Sequence, residues 1–233
     1  MTGNVATRSP RVLWAEVLGL YVVTLLLIRG VVSLQKGLSL PPDVLVVVPL
    51  LFMALPTLWL ERRGEHPADF ALTLELGQLW PALKLNLLVF ALILPPFLLG
   101  NHLYQGWLGY EPVGRLPQDY WIDVVAYHAF FVALPEELFY RGYMQSRLNQ
   151  LYPKPWKLLG VWVGPAMLWT TLLFTVGHSL VTLRWWHFAI LFPSLLFGWL
   201  REKTGNVMAG ALCHACCNIL MVTLETWYGV IPR

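Results

Sequence analysis

Three short stretches place groups that can move protons or hold charge inside apolar sequence: ALPEELFYRGYMQ from Ala133 to Gln145, LLFTVGHSL around His178, and GALCHACCNIL around His214. In the first, Glu137 and Arg141 are four residues apart, so on a helix they share a face and can form a charge-assisted pair that lowers the cost of burying either one. Glu136 is rotated by roughly 100° from Glu137 and has Tyr140, not the arginine, as its four-residue neighbour. The two carboxylates are therefore not equivalent. One is neutralised by a cation, while the other is available to bind water and to accept and return a proton. The same charges would also be ordinary at a helix end beside the lipid headgroups.

In the second stretch Phe174 and His178 are four residues apart, and no Asp, Glu, Lys or Arg occurs between Leu158 and Leu183. A histidine there serves either as a hydrogen-bonded structural residue or as a proton-transfer group. In the third, His214 and Asn218 share a helical face. Two such donors in a dry environment could stabilise negative charge developing on a carbonyl oxygen, or could link neighbouring helices. Cys213, His214, Cys216 and Cys217 are all metal-ligand types, but a straight helix fans them around its axis and keeps them off one tetrahedral ion. Small, soft packing residues are the better description of the cysteines. Glu136, His178 and His214 are ligand types that suit zinc or iron, so on residue chemistry alone a metal site drawn from all three stretches stays open. The helical zinc-protease pattern HExxH is absent.

These residues need helices to hold them, and the rest of the chain supplies helices of one kind. Of 233 residues, 57% are hydrophobic and 12% charged, and the mean hydropathy is +0.59. That balance belongs to a membrane protein. The net charge of +3 comes without a basic run or aromatic-basic interleaving, which argues against nucleic acid as a partner. Three cysteines in one apolar segment do not form the spaced framework of a secreted disulfide protein. Apolar stretches of spanning length run from Val12 to Ile28, Asp43 to Leu60, Leu79 to Leu99, Trp121 to Tyr140, Leu158 to Leu180, Trp186 to Leu200 and Gly205 to Leu224. They predict an all-α, polytopic transmembrane bundle of about seven spans. Prolines inside several of them predict kinks, and one span could be re-entrant. Arg8 and Arg11 precede the first stretch as in a signal peptide, but the apolar run is long, carries Glu16 and has no small-residue cleavage pattern, so it reads as a retained span.

Lys and Arg collect on the cytoplasmic side of membrane proteins. With a cytoplasmic N-terminus, ten of the sixteen basic residues fall inside (Arg8, Arg11, Arg62, Arg63, Arg141, Arg147, Lys154, Lys157, Arg201, Lys203) and five outside (Arg29, Lys36, Arg115, Arg184, Arg233), with Lys84 inside a span. An odd number of spans then predicts an external C-terminus. No repeat, low-complexity tract or long linker breaks the chain, so residues 1–233 read as a single integral membrane domain.

Read in order, EELFYR, FTVGH and HACCN match EExxxR, FxxxH and HxxxN, and the sequence resembles the CPBP family of intramembrane glutamic endopeptidases, which includes the CAAX-processing proteases of the Rce1 type. The run RxKTGNVxxGxxxH ending at His214 resembles the last motif region of that family. The resemblance covers a protease-like core of about 121–224. It implies that Glu136 and His178 activate a water for direct attack on a peptide carbonyl, with no acyl-enzyme and no metal or other cofactor. It implies that His214 and Asn218 form the oxyanion hole, that Glu137 and Arg141 shape the site, and that Phe174 packs within its motif. The substrate it implies is a membrane-anchored or lipidated protein or peptide cut near its C-terminal end, as in CAAX-type processing, sorting-signal processing or peptide maturation. The compact chain is similar to the bacterial branch, which places it in an inner membrane. Outside the resemblance, the same polar residues would suit a non-catalytic scaffold or bacteriocin-immunity protein, or a proton-relay transporter, although no paired repeat of broken helices is present.

Overall fold

A computed structural model describes residues 9–74, 76–114, 116, 121–182 and 185–230. Arg8, Arg115, Arg184 and Arg233, four of the charges that bear on orientation, lie outside the described residues. Helix α1, Pro10–Gly37, opens on a proline whose missing N–H is one the first turn would leave unused. Helix α2, Val47–Arg62, is entered through a 3-10 turn at Pro42–Val46. Helix α3, Leu79–Trp107, carries Pro95 and Pro96 in its interior.

Residues 121–149 alternate two helical pitches: α4 (Trp121–Ala126), a π segment (Tyr127–Ala133), α5 (Leu134–Glu137), a second π segment (Leu138–Gln145) and α6 (Ser146–Asn149). Pro135 cannot donate to the carbonyl four residues back, and the Leu134 N–H reaches to Ala129 O, five residues back. The stretch expected to span from Leu158 instead begins with an antiparallel hairpin, β1 (Trp156–Leu158) pairing with β2 (Val161–Val163). Its turn, Leu159–Gly160, has both residues at positive φ, the backbone that closes a two-residue hairpin with the right twist. Helix α7 therefore starts later, at Pro165, and runs to Thr182. The next expected span starts as a 3-10 turn, Trp185–Ile190, and becomes α8 (Leu191–Thr204), which stops where Gly205 adopts a left-handed φ of 76°. Helix α9 is Met208–Trp227.

Each of the seven apolar stretches thus corresponds to a helical run, and the protein is an all-α polytopic membrane bundle. Among the described residues, four helical stretches are long and apolar enough to cross a membrane, Pro10–Gly37, Pro42–Arg62, Leu76–Trp107 and Met208–Trp227; Pro165–Val181 is apolar but shorter. Their apolar side chains are widely exposed: Leu92 is 70% and Trp107 80% accessible. A water-soluble helix hides that face. Here lipid covers it, so the protein is integral to the membrane.

The chain divides into two compact units, one from Met1–Thr73 and Pro135–Val207, the other from Leu74–Leu134 and Met208–Arg233. The first has an aromatic core in which Phe52 packs on Phe139 at 5.4 Å between ring centres and Tyr140 meets Phe174 edge-on at 4.9 Å. Glu16, the acid inside the first predicted span, is buried there with partners. Arg147 Nη2 lies 2.8 Å from its Oε1, the Tyr143 hydroxyl donates to the same oxygen at 2.9 Å, and Arg63 approaches its Oε2 at 3.5 Å. Arg147 Nη1 also reaches Glu65 Oε2 at 2.6 Å, so α1, the segment after α2, and α6 share one ionic network. In the second unit Asn86 on α3 donates to Ala209 O at 3.0 Å and so ties α3 to α9. His102 Nδ1 and the Tyr228 hydroxyl meet at 2.7 Å.

At the C-terminal end of α8, beyond the apolar part, Glu202 accepts from Gln145 Nε2 and Asn149 Nδ2, each at 2.7 Å, and pairs with Lys154. Burial alone would raise its carboxyl pKa, but these three hydrogen bonds outweigh burial and hold it below its ordinary value of 4.5. The stabilisation is complete above that value and is lost as the pH falls toward the folded value. Acidification through and below pH 4.5 is therefore expected to lower the melting temperature in detergent, and Glu202→Gln to flatten that dependence. An equally steep acid limb in the variant would contradict the assignment.

Candidate active site

The first unit positions five of the seven residues singled out in the sequence. Glu137 and Arg141 face one another across one helical turn, with Nη1 2.9 Å from Oε1 and both side chains at most 1% exposed. The second guanidinium nitrogen, Nη2, donates to Ser194 O at 3.1 Å and to Ser194 Oγ at 2.7 Å. Its planar group lies 4.3 Å above the Phe174 ring, using the aromatic face as a further electrostatic partner. Carboxylate, serine and ring thus hold Arg141 from three directions.

Phe174 is fully buried between this arginine and His178, whose ring centre is 4.3 Å away. On α7 the His178 Nδ1 lies 3.0 Å from Phe174 O. A carbonyl oxygen can only accept, so Nδ1 carries the proton and Nε2 of the neutral ring presents a lone pair. That lone pair points toward Glu136: Nε2 is 3.5 Å from Oε2, long for a direct hydrogen bond and short enough for one water to bridge both atoms. Glu136 and His178 are 13% and 25% exposed, in contrast to the sealed Glu137 and Arg141. Both face a cavity of about 210 Å³ in the first unit whose third polar wall is Tyr140 and whose other walls, including Leu25, Ile28, Phe52 and Val181, are apolar. Two proton acceptors facing a small apolar cavity can hold a water by both its hydrogens and leave its oxygen lone pairs free.

His214 and Asn218 belong to the second unit, one turn apart on α9. His214 is buried and Asn218 half-buried. Cys213 is buried beside His214, while Cys216 and Cys217 are half-buried thiols outside any disulfide. Helix α9 packs there against α3 and the Tyr127–Ala133 segment. His128 on that segment is within electrostatic range of His214, and sequence reasoning passes it over. Among the described residues no group of three or more His, Cys, Asp or Glu side chains converges as metal ligands do.

Sequence reasoning also assigns no role to Ser194 or to the hydroxyl of Tyr140. The spacing of Tyr140 from Glu136 is a local signal that could have found it. Ser194 leaves none, since it meets Arg141 from 53 residues away.

No curated protein and no solved structure matches the chain. A family model described as Rce1-like, type II CAAX prenyl endopeptidase, matches residues 118–220, the segment that carries all seven candidate residues. Over that segment, somewhat less than half of its length, the protein is similar to the Rce1-like type II CAAX prenyl endopeptidases.

Proposed function

We propose that the protein is an intramembrane endopeptidase that hydrolyses its peptide bond by a glutamic mechanism in which Glu136 is the general base. The supporting observation is the approach of Glu136 Oε2 and His178 Nε2 to 3.5 Å at one cavity wall, with His178 Nδ1 committed to a backbone carbonyl. A water donating one hydrogen to each acceptor gives up a proton to Glu136 as its oxygen bonds to the carbonyl carbon. The carbonyl π electrons move onto oxygen, where His214 and Asn218 stabilise the charge. Collapse re-forms the carbonyl and breaks the C–N bond, and the Glu136 carboxyl returns its proton to the departing amine. No acyl-enzyme forms. Glu137 and Arg141 keep the helix that carries Glu136 in place, and Phe174 carries the packing from Arg141 to His178.

The substrate is a membrane-anchored or lipidated protein or peptide cut near its C-terminal end. A prenylated cysteine followed by a short peptide is the form that the matching family's description suggests. We infer one integral membrane domain, with 121–224 as its protease-like core, in a bacterial inner membrane with a cytoplasmic N-terminus. A phosphatase fused to the C-terminus is then expected to be active, and an inactive fusion would reverse the orientation. The test of function compares protein C-termini by mass spectrometry in cells carrying the wild type or Glu136→Gln at matched abundance. Specific C-termini are expected to lengthen in the variant. Unchanged C-termini would favour a non-catalytic scaffold or immunity protein.

A further inference from the structure

The cavity faced by Glu136 and His178 has a third polar wall whose chemistry differs from theirs. Tyr140 lies one turn after Glu136, and its ring is buried edge-on against Phe174. The neighbouring Tyr21 hydroxyl donates to Leu173 O at 2.8 Å, but the Tyr140 hydroxyl makes no hydrogen bond among the described residues. A buried phenol usually finds a partner, so its absence needs an explanation. The hydroxyl lies against Gly177, which belongs to the same cavity wall: a Cβ there would come within 2.9 Å of Tyr140 Oη and 3.1 Å of Tyr21 Oη. Glycine in the position before His178 is what lets both phenols approach α7.

The three polar walls are complementary. Ionised Glu136 can only accept, and the one N–H of neutral His178 is taken by Phe174 O. The phenol is the cavity wall that keeps a donor. We propose that Tyr140 is a further catalytic residue, whose hydroxyl donates a hydrogen bond to the carbonyl oxygen under attack. The proposal rests on reading Glu136 and His178 as the pair that activates water. As the water oxygen bonds to carbon, the carbonyl oxygen becomes an oxyanion and this hydrogen bond strengthens. The proton stays on the phenol throughout and the bond weakens again when the tetrahedral intermediate collapses.

Tyr140→Phe removes the hydroxyl and leaves the ring packing. In proteoliposomes, with a fluorogenic peptide carrying an S-farnesyl cysteine followed by three residues as the probe, kcat is expected to fall about 10²-fold with KM and the melting temperature unchanged. Gly177→Ala, which pushes on the hydroxyl, is expected to lower kcat too, and the double variant to lose no more than Tyr140→Phe alone. Glu136→Gln is measured in parallel. If Tyr140→Phe keeps full kcat, or changes KM alone, while Glu136→Gln is inactive, the role of Tyr140 is overturned and the reading of the pair stands. Full activity in Glu136→Gln, or a wild-type protein inactive on the probe, overturns the reading beneath it.

Discussion

Arg141→Ala is expected to destabilise the protein by about 3–5 kcal/mol, the usual cost of breaking a buried ion pair by removing one partner. The size follows from burial. Arg141 and Glu137 are at most 1% exposed, so water cannot take over when the guanidinium goes, and the Glu137 carboxylate stays in a low-dielectric core without its arginine. Both Ser194 contacts disappear with it, and so does the cation that lies over Phe174. Lysine is a poor replacement, since a single ammonium cannot span carboxylate and serine as the fork does. Thermal unfolding in detergent is the measurement. A melting temperature equal to that of the wild type would remove Arg141 from its structural role.

Glu136→Gln is expected to have the opposite profile: unchanged stability and a loss of proteolysis of about 10²–10⁴-fold, the range a general base contributes. The amide is nearly isosteric with the carboxylate, and Glu136 opens on the cavity. What it loses is the capacity to take a proton from water. Glu137→Gln is the matched control. It removes the counter-charge of Arg141 and is expected to lower the melting temperature, which Glu136→Gln does not. Two adjacent carboxylates then separate by assay, one in a melting curve and the other in a progress curve. Residual cleavage by Glu136→Gln at the wild-type rate would mean that another group activates the water.

The helices were legible because hydropathy is a property of each side chain, and lipid demands the same of all twenty or so residues in a span. Their internal geometry was not. The π segments on either side of Leu134–Glu137 depend on which backbone groups bond to which, and hydropathy is blind to that. The late start of α7 was written in Gly160 and Pro165, but an apolar hairpin and an apolar helix end look alike when averaged over a window. In the site the same division holds. Glu137 with Arg141 and Phe174 with His178 are pairs within one helical turn, so spacing was enough to predict that they share a face. The approach of Glu136 to His178, the Ser194 anchor and the partners of Glu16 join residues far apart in the chain. Only folding brings those together.

The network around Arg147 bears on what can be exchanged between relatives. Arg147 lies inside the family segment 118–220, but both its carboxylate partners, Glu16 and Glu65, lie outside it. Tyr143, also inside, donates its hydroxyl to Glu16 as well. The segment that defines the family is therefore not a self-contained cassette. A chimera that grafts residues 118–220 onto foreign leading helices imports a buried guanidinium and leaves its counter-ions behind, so the graft is viable only if the recipient helices offer acids at those two places.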